Sequence, residues 1–288
     1  MTDLPAVSPD FRAQADICYA THNGVALHGD LYLPVKTGRV PIVIGLPGGG
    51  WRVGSRAQVA DWGRHLAQRG YGCFAIDYRH TTAGKMFPEA VNDVVAAMRF
   101  VAAHADDWQI DTTRMVMMGS SAGAHLAALA SLATERFDPS PGTPGLPRVA
   151  GMVLAYGVYD LARQWQHGLG LNQAEGEDRQ ARFLGADPYE DPDLYHLASP
   201  IRHVTYRRNY IKSMVIWGDQ DEVVPCSQSL EFLVALQQAR FRVRSCAVMG
   251  AGHFWFNEEP IAEPGSHSGF VAPRVLRFLR DSFPAQEK

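Results

Sequence analysis

Continuous apolar runs alternate along this 288-residue chain with stretches in which apolar side chains recur every three or four positions. The run at 41–46 (Pro-Ile-Val-Ile-Gly-Leu) has no polar alternation, as expected for a strand covered on both faces. Residues 71–76, 114–118, 149–155, 213–217 and 243–248 read as further strands. Between them, Val59, Trp62 and Leu66 fall at helical spacing. So do Val91, Val94, Val95, Met98 and Val101, behind Pro88 in a first helical turn, where its missing N–H costs nothing. The alanine-rich stretch 122–133, the group Leu230, Leu233, Val234 and Leu236, and the segment 271–283 complete the predicted helices. Near the start, β-rich stretches at 17–21 and 25–33 flank His22-Asn23-Gly24, and Asn-Gly between two such stretches is a hairpin signal. Strands alternating with helices predict an α/β fold with a mostly parallel central sheet and helices on both faces. One segment breaks the rhythm. Residues 157–210 contain no clean strand and are rich in Trp, Tyr, His, Gly and Pro, so a lid insertion is expected there within a single domain spanning 1–288.

Composition narrows the classes. A formal net charge of −3 gives no reason to expect nucleic acid or an anionic membrane as partner. The most basic stretch, 206–212, reads as a solvated approach to the strand at 213–217. Cys18, Cys73, Cys226 and Cys246 are scattered, without a C-x-x-C pair, and fit neither a zinc site nor a disulfide framework. Cys73 and Cys246 fall in predicted strands and read as small buried hydrophobes. Residues 1–14 carry no basic segment followed by an apolar one, and no apolar run reaches membrane-spanning length, so a cytoplasmic location is expected.

The chemistry is concentrated at a few turns. Gly119-Ser120-Ser121-Ala122-Gly123 joins a predicted strand to a predicted helix, the context in which G-x-S-x-G forms a nucleophile elbow with its central serine, Ser121, on a strained turn. A second turn, Pro47-Gly48-Gly49-Gly50-Trp51-Arg52-Val53-Gly54, follows the strand at 41–46. It lacks the Gly-Lys-Ser/Thr ending of a P-loop, and Val53 occupies the place of the last glycine in G-x-G-x-x-G. Consecutive glycines that let backbone N–H groups approach a developing negative charge do fit it.

With these motifs in order, the chain resembles α/β-hydrolases of the esterase/lipase group with an HGGG-type oxyanion loop. It is similar in particular to small bacterial carboxylesterases related to feruloyl and acetyl-xylan esterases, and to kynurenine formamidases. The matching pieces are Pro47 to Trp51, Ala75-Ile76-Asp77-Tyr78-Arg79, Phe87-Pro88, the elbow, Gly218-Asp219-Gln220-Asp221-Glu222-Val223-Val224-Pro225, and Gly252-His253. The resemblance implies Asp221 as triad acid, with Asp219 as substitute, and His253 as base, with His267 the weaker alternative. His125, four residues after Ser121, reads as a packing or helix-surface residue. The resemblance also implies an oxyanion hole of the Gly48, Gly49 and Ala122 N–H groups. One departure stands out: Pro47 replaces the usual histidine, and ring rigidity is expected to shape the loop in its place.

The activity so implied is hydrolysis of small, fairly apolar or aromatic carboxylic esters through an acyl-enzyme, with a small-molecule ester as partner and a homo-oligomer compatible with the sequence. An arylformamidase-type amide hydrolase and a non-catalytic binding protein of the same fold are the alternatives. Trp51, Tyr159 and Trp255 are expected to line the substrate pocket, with Trp165 and Tyr195 as further aromatics of the lid segment. No metal or organic cofactor is implied, because no H-E-x-x-H or clustered ligand spacing is present.

Overall fold

The structure, a computed structural model, describes residues 10–283 except 23, 36–37, 139, 141, 143–144 and 171–177. Its strands are β1 (Phe11–His22), β2 (Val25–Pro34), β3 (Val40–Leu46), β4 (Gly72–Ile76), β5 (Ile110–Ser120), β6 (Val149–Ala155), β7 (Lys212–Gly218) and β8 (Val243–Val248). They form one eight-stranded sheet in the order β1-β2-β4-β3-β5-β6-β7-β8. β1 and β2 are antiparallel to each other, β2 is antiparallel to β4, and every other pairing is parallel. The helices are α1 (Ala60–Ala67), α2 (Glu89–Ala103), α3 (Ala105–Trp108), α4 (Ala122–Leu132), α5 (Leu161–Gly170), α6 (Arg179–Leu184), α7 (Pro192–Ala198), α8 (Cys226–Gln238), α9 (Trp255–Glu258) and α10 (His267–Ser282).

The apolar runs are explained by two cores. Along β3, Ile42, Ile44 and Leu46 join the layer under α2, α4 and α8, whereas Val43 joins the layer under α1 and α10. Met115 and Met117 alternate with Val116 and Met118 in the same way, as do Val215 and Trp217 with Met214 and Ile216. A strand whose two faces both meet helices has no solvent side, so the period-two signal disappears into a continuous apolar run. This is an α/β-hydrolase fold.

The outer elements differ most from expectation. β1 starts six residues before the predicted stretch, because residues 12–16 are exposed at the sheet edge, contain no large apolar side chain and carry no burial pattern. β1 and β2 pair through His22 and Val25 as a hairpin would, although Asn23 itself lies outside the described residues. α10 begins at His267 instead of 271, where the Ser266 side chain accepts the Gly269 N–H and caps it. Cys73 is buried as expected, but Cys246, on edge strand β8, is only half-buried. The segment 157–210 holds α5, α6, α7 and short 3-10 turns at Pro200–His203 and Tyr206–Arg208, with 171–177 outside the described residues. Among the described residues, no helix is long and apolar enough to cross a membrane.

Parallel pairing brings the carboxyl ends of the central strands level. Leu46 lies beside Gly119, Ser120 beside Ala155, and Gly218 beside Val248. The turns after β3, β5, β7 and β8 therefore open on one edge of the sheet, where open α/β sheets gather their ligands.

Candidate active site

Ser121 sits between β5 and α4 with φ 52° and ψ −122°, a conformation that costs a non-glycine residue strain. The turn is tight enough to exclude side chains beside it. A Cβ on Gly119 would lie 2.5 Å from the Gly123 carbonyl carbon, and one on Gly123 would lie 2.4 Å from the Pro47 carbonyl oxygen. The glycines thus let β5, α4 and the loop after β3 converge. The Ser121 N–H is held by the Ala155 carbonyl at 2.9 Å.

His253, on the turn after β8, reaches Ser121. Its Nε2 lies 2.9 Å from Ser121 Oγ, and its Nδ1 lies 2.6 Å from Asp221 Oδ2. An ionised carboxylate only accepts hydrogen bonds, so the ring proton belongs on Nδ1, and the Nε2 lone pair faces the serine hydroxyl. The His253 and Asp221 side chains are 2% and 0% exposed, so water competes little for this pair. Asp221 Oδ1 is occupied separately, accepting the N–H groups of Val223 and Val224 at 3.0 and 2.9 Å, which aims Oδ2 at the imidazole. The Tyr156 ring packs 4.5 Å from that imidazole, and its hydroxyl accepts the Phe256 N–H.

The alternatives considered for acid and base are engaged elsewhere. Asp219 Oδ1 accepts the Gly250 N–H at 2.6 Å and ties the turn after β7 to the turn that presents His253. His267 pairs with Glu259 at 2.9 Å. Ser120, the neighbour of Ser121, is buried and accepts from Asn257 Nδ2 at 2.9 Å.

The glycine loop lies directly against the elbow: a Cβ on Gly48 would be 3.5 Å from Ser121 Cβ. Gly49, Gly50 and Trp51 have successive positive φ values of 121°, 59° and 58°. At Gly49 this is obligatory for space as well, since a Cβ would lie 2.0 Å from the Val53 carbonyl oxygen. Ala122 opens α4, and a first-turn N–H has no partner within its own helix. The α4 N-terminus therefore directs partial positive charge at the space beside Ser121. Pro47 does not shape the loop by ring rigidity alone: its carbonyl accepts the Tyr78 hydroxyl at 3.1 Å, and Trp51 supplies a further side-chain tether.

The aromatic residues expected to line the pocket are buried. Trp51 is buried and stacked on Phe183 of α6 at 4.7 Å. Tyr159 is buried and stacked on Phe232 of α8 at 4.1 Å. Trp255 is buried and packs edge-on to Tyr156. Each fills a junction between elements instead of forming an open wall. Phe254, beside His253, is by contrast 49% exposed. No periodic or motif signal separates it from its buried neighbours, since it lies in a turn.

His125 is the functional-site neighbour whose surroundings the sequence did not disclose. It is wholly buried, not on the helix surface. The Trp51 indole N–H donates to its Nδ1 at 3.1 Å, and its Nε2 lies 2.8 Å from the Ala198 carbonyl. Indole N–H only donates, so the ring is neutral with its proton on Nε2. Burial pushes its pKa down to about 4. Among the described residues, no group of three or more His, Cys, Asp or Glu side chains is arranged to hold a metal ion.

Residues 29–236 match the family model described as BD-FAE. The chain belongs to the BD-FAE family. This BD-FAE protein is 33% identical over 229 residues to esterase LipC of Mycobacterium tuberculosis, covering 77% of this chain and 54% of LipC. It is 31% identical over 247 residues to esterase LipQ of the same organism, covering 84% of this chain and 55% of LipQ. The BD-FAE chain thus spans about half the length of the curated relatives it matches. In fold it is similar to the apo form of Thermogutta terrifontis esterase 2, with a TM-score of 0.79, 22% identity, and coverage of 100% of this chain and 98% of that one. It is also similar to a bifunctional GH43-CE protein of Bacteroides eggerthii, with a TM-score of 0.77, 26% identity, and coverage of 94% and 38%.

Proposed function

We propose that this protein is a carboxylic ester hydrolase in which Ser121, His253 and Asp221 form a catalytic triad. The observation that carries the reading is the unbroken hydrogen-bond chain from Ser121 Oγ through the imidazole to a buried carboxylate. Ser121 Oγ attacks the acyl carbon while its proton passes to His253 Nε2. Asp221 holds the ring in the required tautomer and stabilises the imidazolium. The N–H groups of Ala122, Gly48 and Gly49 receive the oxyanion. Collapse of the tetrahedral intermediate breaks the ester C–O bond, and the imidazolium returns the proton to the departing alcohol. Water, deprotonated by His253, then attacks the acyl-enzyme and releases the acid.

The segment 157–210 acts as a lid beside this edge of the sheet. Supporting that role, Phe183 of α6 covers Trp51, and its carbonyl accepts the N–H groups of Met86 and Phe87. Small, fairly apolar esters are the substrates: Phe254 next to the base and Val53 at the end of the glycine loop present exposed apolar surface there. On a panel of short p-nitrophenyl esters, aryl esters, N-formylkynurenine and peptide amides, kcat/KM is expected to be highest for a short or aryl ester. A clear preference for N-formylkynurenine over every ester would replace this reading with amide hydrolysis.

A further inference from the structure

The glycine loop is conformationally expensive, and one side chain within it is anchored far more firmly than an adjacent pocket residue would need. Trp51 itself adopts left-handed backbone geometry, at φ 58°, directly after two glycines that also have positive φ. A bulky residue keeps such a conformation only where its surroundings over-determine it. Here they do so from several directions. The indole lies flat on Phe183 and edge-on to His125, its N–H is taken by His125 Nδ1, and its backbone carbonyl accepts the Thr81 N–H at 2.9 Å.

The partner is equally placed. His125 lies one helical turn beyond Ser121, and its backbone N–H donates to the Ser121 carbonyl at 3.0 Å. The imidazole is thereby rigidly referred to the elbow. Its other nitrogen donates to Ala198 at the end of α7, so a single neutral ring joins the glycine loop, the elbow helix and the segment 157–210. Both residues are buried, 2% and 0% exposed, which excludes them from contact with bulk water and leaves the indole N–H no other acceptor if the ring is lost.

We infer that the Trp51–His125 hydrogen bond is a positioning device that sets the distance between the oxyanion-loop N–H groups and Ser121, making both residues positioning residues for the hydrolytic reaction. This rests on the proposed roles of Ser121 as nucleophile and of the loop N–H groups as oxyanion donors. A loop displaced by a fraction of an ångström would still admit substrate. It would serve poorly only once the carbonyl oxygen had moved to its tetrahedral position, so the cost falls on kcat.

The test compares Trp51→Phe, which keeps a ring over Phe183 and removes only the donor, with His125→Leu, His125→Asn and the Trp51→Phe/His125→Leu double variant. Each is assayed for kcat and KM on p-nitrophenyl acetate, for affinity towards an aryl trifluoromethyl ketone, and for Tm. The ketone forms a hemiketal whose oxyanion needs the loop: a bond forms between Ser121 Oγ and the carbonyl carbon, and the hydroxyl proton moves to His253. Trp51→Phe and His125→Leu are expected to lower kcat roughly 10- to 100-fold with KM little changed, and to weaken the ketone by a similar factor. The double variant should lose no more than the worse single variant, because one bond is being removed, and His125→Asn, whose amide oxygen can take the indole N–H, should recover most of kcat. Should His125→Leu fail to fold, Trp51→Phe alone decides through kcat and ketone affinity. Unchanged kcat and ketone affinity with only a lower Tm, or losses that multiply in the double variant, would overturn the inference. Failure of the wild-type protein to form the ketone adduct on Ser121 would instead overturn the proposed active site.

Discussion

Replacing Ser121 with alanine is expected to lower kcat for p-nitrophenyl acetate by about 10⁶-fold, and replacing His253 with alanine by a similar factor. The two losses should not multiply. The hydroxyl is a poor nucleophile until its proton has somewhere to go, and Nε2 of His253 faces it at 2.9 Å. Either substitution disables the same step. Some acceleration over water should survive in both variants, because the proposed oxyanion donors of the loop and of the α4 N-terminus remain when water itself attacks. KM should change far less than kcat, since neither side chain contributes to holding the ground-state ester. Steady-state kinetics on the single and double variants checks this. A Ser121→Ala protein with wild-type turnover would remove Ser121 from the mechanism.

Asp221→Asn is expected to cost about 10⁴-fold in kcat, whereas Asp219→Asn should cost less than about tenfold. The difference follows from what each carboxylate touches. Asp221 faces His253 Nδ1 at 2.6 Å inside the protein, with its second oxygen already committed to the Val223 and Val224 N–H groups. Asparagine at 221 would turn its amide nitrogen towards the imidazole if its oxygen kept those backbone donors. Nδ1 would then have to accept, the ring proton would move to Nε2, and the base would point a proton at the serine hydroxyl. The Asp219 side chain supports the turn that carries His253 by accepting the Gly250 N–H, and asparagine can still accept that N–H. Its loss should therefore show as a small decrease in stability, about 1 kcal/mol, more than as lost chemistry. Comparable kcat values for the two variants would contradict the assignment of the acid.

The parts of this arrangement that were legible in the sequence are those where backbone chemistry leaves residue-type marks. Gly119 and Gly123 are needed because three chain segments meet there, Gly48 because the loop lies against the elbow, and Gly49 and Gly50 because the loop turns with positive φ. The central strands were legible because burial on both faces makes them uniformly apolar. Asp221 was preferred to Asp219 through its place three residues after Gly218 in the resembled pattern; the physical difference lies in which carboxylate the folded turn aims at the imidazole. The burial of the aromatics was hidden for a related reason. Tryptophan and tyrosine fill buried junctions as readily as they line clefts, and Trp51, Tyr159 and Trp255 all do the former. The helices of 157–210 were hidden by their brevity: α6 and α7 have six and seven residues, too few turns to establish a period. Asp191 caps α7 by accepting the Leu194 N–H. His125 carried no signal of its role, because both of its partners are remote in sequence.

The most direct test of Ser121 as the nucleophile is intact-protein mass spectrometry after treatment with a fluorophosphonate, followed by peptide mapping. One adduct per chain on Ser121, forming in step with loss of esterase activity and absent from Ser121→Ala, is the predicted result. Labelling at another residue with the same loss of activity, or equal labelling of Ser121→Ala, would contradict it.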